Sequence, residues 1–189
     1  DPIVATTTED AAIVGLCQLA RVKCFAGSSD DKLARWLGAC DQHSVESFVT
    51  VDCDDPLFDP SLSHAQFEEL RTCNIISPDT NAYLGSNGWA FKTEVLREIY
   101  ARKTSDKTEM IWKHIPDDIA INSFRAPACR AIEKDLRLTL DYVEDYWLIS
   151  TVVRELGFDC TRSQIVDFFV KHPGLRIVNQ FRNEEWKQI

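Results

Sequence analysis

The sequence predicts an α/β fold in which helices layer onto a mostly parallel sheet. Three observations lead there. Short β-branched or apolar runs alternate with stretches of helical periodicity along the 189 residues. Acidic residues stand where apolar runs end. The length and the 44% hydrophobic content suit one compact domain over residues 1–189, because single domains commonly run to roughly 100–200 residues.

The elements follow in order. Ile3-Val4-Ala5 reads as a strand end, and Glu9 to Leu19 as a helix with Ala12, Ile13, Leu16 and Leu19 near one face. Arg21 to Phe25 is a second strand. Asp30 to Cys40 is a helix with Leu33, Trp36 and Leu37 on one side. Ser47 to Val51 is strongly β-prone and runs into Asp52, Asp54 and Asp55. Ser61 to Leu70 is helical, and Ser61 can cap it. Ile75-Ile76 and Gly88 to Phe91 are short strands, with the helix Thr93 to Arg102 after them. Ile119 to Phe124 and Leu136 to Leu140 complete the strands. Val143 to Leu156 and Ser163 to Val170 complete the helices. No repeat, linker or low-complexity stretch interrupts this pattern.

Composition narrows the function. A net charge of −9 argues against sequence-independent nucleic-acid binding, which needs a basic surface. It leaves room for a nucleotide whose phosphates reach carboxylates through a metal ion. No window approaches the roughly 18 apolar residues of a membrane span, and no basic-apolar-small leader opens the chain. The seven cysteines form no C-x-x-C pair and are odd in number. Reduced thiols in a cytoplasmic protein are the expectation, rather than a disulfide framework or a zinc site.

The chemistry concentrates at the acidic turn. Ligands of open α/β sheets bind outside the carboxyl ends of the strands. Asp54 follows one apolar run and Asp141 another. Two carboxylates that converge there suit a magnesium ion, which takes one or two carboxylates plus phosphate oxygens and waters. An aspartate after a strand is also a common turn former or helix cap, and Asp59 and Asp145 read that way. Trp89 has two readings, a sugar-stacking ring and a core aromatic. His43, His64, His114 and His172 stand in no motif with a serine or cysteine nucleophile.

These residues resemble a family. Val49-Thr50-Val51-Asp52-Cys53-Asp54-Asp55-Pro56-Leu57-Phe58-Asp59-Pro60 is similar to the "GDCPLIDP" stretch of the spore-coat-polysaccharide cytidylyltransferase-like proteins. These are relatives of the acylneuraminate and 3-deoxy-manno-octulosonate cytidylyltransferases, which carry "GDEP". Ile3 to Asp10 resembles "VVATSTNPED", and Phe25 to Arg35 resembles "FRGSEDDVLDR". Arg137 to Asp145 resembles "RLTLDTPED", and His172 to Asn179 the family's "NPEL…LN". The matches keep their order over nearly the whole chain.

The resemblance implies a three-layer, Rossmann-like nucleotide-diphospho-sugar transferase fold. It implies a magnesium-assisted reaction of CTP with a sugar acid, giving CMP-sugar and pyrophosphate for surface polysaccharide, and a possible homodimer. Aligned on Pro56-Leu57, Asp54 falls on the family's metal-binding aspartate and Asp141 on the second. Asp55 then stands for its Cys or Glu, and Cys53 for its Gly. Gly27, Ser28 and Arg35 fall on the nucleotide side. As a loop glycine, a cap and a surface arginine they have an equally good structural reading.

The sequence also departs from the family pattern. It begins after the family's opening strand and its "RxxSTRLPGK" nucleotide loop, so a domain N-terminally truncated relative to the family is expected. In the "GLDVEVFSFEAL" segment the family's acids fall on Asn87 and Trp89. The histidine of "EHVTPYI" becomes Met110, and the arginine of "FRGS" becomes Ala26. These changes favour either a different acceptor or a member without catalysis.

Overall fold

The computed structural model describes residues 1–183; residues 184–189 of the expected 1–189 domain lie outside the described residues. The chain divides into two compact units, each discontinuous in sequence. The first comprises Asp1–Phe48 and Phe91–Ile121, the second Val49–Ala90 and Asn122–Ile189.

In the first unit, β1 (Ile3–Thr7) and β2 (Lys23–Gly27) pair in parallel from Ile3↔Lys23 to Thr7↔Gly27. The crossover is helix α1 (Ala11–Ala20), closed by Arg21 in the left-handed region. Only Cys17 of α1 is buried, while Leu16 is 64% and Leu19 83% exposed. The face expected from Ala12, Ile13, Leu16 and Leu19 is therefore not the face that packs.

Helix α2 (Lys32–His43) starts at Asp31, whose carboxylate accepts the Ala34 amide at 3.0 Å. Asp31 is buried and also takes Lys103 Nζ at 2.6 Å and the Thr108 hydroxyl at 2.9 Å. Burial would push its carboxyl up, but the Lys103 ammonium and these hydrogen bonds outweigh it and hold it below the ordinary range. Leu33 and Leu37 of α2 are buried, as are Val95, Leu96 and Ile99 of α4 (Thr93–Arg102). Trp36, Phe48 and Phe91 form an aromatic cluster with centroids 5.7–6.0 Å apart.

The second unit holds helix α3 (Pro60–Glu69) and the parallel pair of β4 (Ile75–Ser77) with β6 (Asn122–Ser123). Asp59, not Ser61, caps α3; its carboxylate accepts the Ser61 amide at 2.9 Å. Pro60 takes the first helical position, where no amide hydrogen is needed. One apolar core gathers Leu62, Leu70, Ile76, Ala90 and Phe124. The other gathers Leu57, Tyr83, Leu136 and Leu138 with α5 (Val143–Leu156) and α6 (Arg162–Lys171). Thr161 and Gln164 close α6 with a reciprocal capping box.

Strands β3 (Ser47–Val49) and β5 (Ala90–Lys92) are shorter than the runs that announced them. Leu136 to Leu140 is not a strand. Among the described residues it makes one bridge, Arg137 with Leu84, through the Leu84 amide to the Leu136 carbonyl at 3.0 Å and the Leu138 amide to the Leu84 carbonyl at 2.9 Å. The Leu140 amide instead turns to the Asp54 carbonyl at 2.7 Å. Among the described residues no helix is long and apolar enough to cross a membrane, and the seven cysteines are thiols.

One close approach in the first unit is testable. A Cβ on Gly38 of α2 would lie 2.2 Å from Cζ of Phe25. Gly38→Ala gains about 1 kcal/mol of helix propensity but forces the Phe25 ring aside, an overpacking cost of about 1–3 kcal/mol. Urea denaturation is expected to show net destabilisation; a raised midpoint would contradict the packing.

Candidate active site

The acidic turn is built by two successive reversals. The Asp55 amide donates to the Asp52 carbonyl at 3.0 Å, and the Phe58 amide to the Asp55 carbonyl at 3.2 Å. Pro56 follows Asp55, with φ already fixed for such a turn. Leu57, 3% exposed, anchors the turn in the core. The buried Tyr83 hydroxyl donates to the Leu57 carbonyl at 2.7 Å.

This path crowds three carboxylates. Ligand oxygens of Asp52, Asp54 and Asp55 lie within 4.8 Å of one another. Asp52 is exposed and Asp55 half-buried. Burial is the main reason that the Asp55 carboxyl is pushed up to about 7; a Thr139 hydrogen bond opposes the rise, and the charges of Asp54, Asp52 and Asp141 add to it. Gly85 lies against the same carboxylate at φ +92°. A Cβ there would meet Asp55 Oδ1 and the Leu138 carbonyl, both at 2.9 Å. Glycine is thus required twice, by conformation and by space.

Asp141 is not one of the three clustered acids, but its charge reaches Asp55 and it directly follows Leu140, whose amide holds Asp54. Its carboxylate Oδ2 is gripped by the Arg137 guanidinium. Arg137 is fully buried and bonds Asp145 through Nε at 2.9 Å and Nη2 at 3.1 Å. Asp145 Oδ2 also accepts the amides of Asp141 at 3.0 Å and Tyr142 at 2.9 Å, which starts α5. Asn179 donates to Asp145 Oδ1 at 2.8 Å and to the Arg137 carbonyl at 2.9 Å. Asp59 and Asp145 are therefore structural, as read from the sequence.

The second unit thus brings Asp54 and Asp141 to neighbouring backbone positions. Gly27, Ser28 and Arg35 belong to the first unit, at the end of β2, in the turn after it and on α2 respectively. Arg35 is 9% exposed, not a surface arginine, and its guanidinium donates to the carbonyls of Ser28 at 2.5 Å and Ser29 at 3.3 Å. Ser28 Oγ accepts the Asp31 amide at 3.1 Å. The half-buried Trp89 has its amide on Thr50 Oγ1 at 2.9 Å and its carbonyl on the Thr50 amide at 2.7 Å. Sequence reasoning passed over Arg137, Thr139, Gly85 and Asn179. The spacing Arg137, Asp141, Asp145, one residue every four, was the available signal for the first.

The donor set fits a hard divalent cation. It consists of oxygen ligands, and a bound cation relieves the repulsion that adds to the effect of burial at Asp55.

No family model matches the chain. The chain is 29% identical over 199 residues to the uncharacterized protein MJ1063 of Methanocaldococcus jannaschii, an alignment covering all of this chain and 81% of that protein. Its fold superposes on a cytidylyltransferase from Leptospira borgpetersenii serovar Hardjo-bovis with a TM-score of 0.80. Sequence identity there is 17%, over 92% of this chain and 77% of that one. This chain accordingly has the Rossmann-like α/β fold of a cytidylyltransferase.

The raised Asp55 carboxyl makes a pH prediction. Its folded value, about 7, lies above the ordinary aspartate value of about 4, so between those limits the native state binds more protons than the unfolded state. Asp55 therefore costs nothing below about pH 4 and progressively more as pH rises through 7. Asp55→Asn is expected to stabilise the protein at pH 8 and to lose that advantage near pH 4. Urea midpoints equally displaced at both pH values would refute the assignment.

Proposed function

We propose that this chain is a nucleotidyltransferase of the cytidylyltransferase type, coupling CTP to a sugar acid with release of pyrophosphate. The observation that carries the reading is the gathering of Asp52, Asp54 and Asp55 within 4.8 Å, beside Asp141, in a chain with a cytidylyltransferase's fold. The motif resemblance that aligns Asp54 and Asp141 with metal-binding positions supports it.

In this reading Asp54 and Asp141 are the principal metal ligands, and Asp52 and Asp55 complete the acidic wall. A bound magnesium ion supplies charge neutralisation at the α-phosphate, where the sugar hydroxyl attacks and pyrophosphate leaves. The chain's own work is positional. The two turns fix the carboxylates, Leu57 and Tyr83 tie the turn to the core, and Gly85 leaves Asp55 room. Gly27 and Ser28 are the nucleotide-side candidates of the first unit. Arg35 contributes by holding the Ser28-Ser29 carbonyls rather than by reaching a phosphate. A role in surface polysaccharide synthesis, a cytoplasmic location and a homodimeric state belong to the same proposal.

One observation favours a second reading, a member that binds nucleotide without catalysis or that uses another acceptor. Asn87 stands where the family has an acid, and its side chain is engaged within the fold. Its Oδ1 accepts the Asp79 amide at 2.8 Å and its Nδ2 donates to Ser86 Oγ at 2.9 Å.

Pyrophosphate release from CTP and magnesium across a panel of sugar acids separates the two. Turnover is expected, and Asp54→Asn is expected to lower kcat by about 10²–10³-fold, the scale of losing one preorganised electrostatic contact. Calorimetric CTP binding without turnover supports the second reading. Neither binding nor turnover contradicts both.

A further inference from the structure

Arg137 has more to do than neutralise Asp145. Its Nε and Nη2 already form a two-point contact with that carboxylate, which satisfies the usual geometry of an arginine–carboxylate pair. Yet Nη2 is shared with Oδ2 of Asp141 as well. Asp141 is held from a second side by its own amide, which donates to Asp145 Oδ2 at 3.0 Å. Main chain and carboxylate of Asp141 are thus both fixed by one buried network. Asn179 closes that network from the other end of the unit's sequence. One guanidinium facing two carboxylates leaves a net negative charge, so Asp141 stays attractive to a cation. With Oδ2 occupied, Oδ1 is the oxygen left to take one.

We infer that Arg137 is a positioning residue that clamps Oδ2 of Asp141, presents Oδ1 beside the Asp52–Asp54–Asp55 turn, and thereby sets the divalent-cation affinity of the site. This rests on the metal-dependent reading above. Carboxylates that bind metals are commonly held by such outer contacts, whose loss costs about 10–100-fold in affinity. A lysine, without the planar guanidinium fork, does not reproduce the two-point contact with Asp145 while also reaching Asp141.

Mn²⁺ titration of the full chain, following the EPR signal of unbound metal, tests the inference through four proteins: wild type, Arg137→Lys, Asp141→Asn and the double variant. Arg137→Lys is expected to weaken Mn²⁺ binding about 10–100-fold. If Arg137 acts through Asp141, the double variant binds no more weakly than Asp141→Asn alone. Additive losses overturn the clamp, because a general structural defect adds to the loss of a ligand. Wild-type affinity in Arg137→Lys overturns it too, while leaving the metal site standing. No Mn²⁺ binding by wild type contradicts the metal reading and this inference together. Should Arg137→Lys fail to fold, the ¹⁵Nε resonance of Arg137 in the wild type decides. A shift that saturates with diamagnetic Mg²⁺ supports the clamp, and Mg²⁺ binding without a shift overturns it.

Discussion

The buried ion pair between Arg137 and Asp145 is the constraint on which the second unit depends. Both side chains are fully buried. Burial alone would raise the Asp145 carboxyl, but hydrogen bonds from Arg137, Asn179 and the amides of Asp141 and Tyr142 overcome it and hold the group below its ordinary range. Breaking such a pair leaves a buried charge uncompensated, at a cost of about 3–5 kcal/mol. That magnitude exceeds what any exposed ion pair in this protein contributes. It explains how a segment too irregular to form a strand still has a fixed path. The pair ties Leu136–Leu140 to the first turn of α5 and to Asn179, and Leu140 then carries Asp54 into place.

The acidic turn works against that stability. Crowding Asp52, Asp54 and Asp55 gains nothing for the folded state by itself, and the neighbouring charges add to the burial that raises the Asp55 carboxyl. Gly85 adds a second local cost, since glycine surrenders more backbone freedom on folding than other residues. Features that oppose stability and converge on one place mark functional sites more often than structural ones. Different side chains carry the two roles. Leu57, Tyr83, Arg137 and Asp145 provide rigidity, while Asp52, Asp54, Asp55 and Asp141 provide charge.

Much of this was legible in the sequence because it is local. Helices α4 and α5 have the bounds that their periodicity announced, and β1 and β2 are set by short β-prone runs around a helical stretch. What failed depended on tertiary partners. Leu136–Leu140 has a strand's composition, but its main chain finds an isolated bridge at Leu84 rather than a continuous ladder. Leu16 and Leu19 are apolar, yet α1 packs through Cys17. Ser61 and Asp59 are both good caps, and Pro60 decided for Asp59 by starting the helix between them. At the site, the positions of Asp54 and Asp141 could be marked from motif resemblance. The half-burial of Asp55, the demand for glycine at position 85 and the sharing of Arg137 between two carboxylates arise from residues far apart in sequence.

The central claim is that the carboxylates of this turn hold a divalent cation for nucleotidyl transfer. Anomalous scattering from crystals grown with Mn²⁺ and CTP tests it most directly. The account predicts a manganese peak at about 2.0–2.2 Å from carboxylate oxygens of Asp54 and Asp141, the ordinary range for a small hard cation, with phosphate oxygens completing its coordination. Manganese bound elsewhere on the chain, or CTP bound with no metal at this turn, would contradict it.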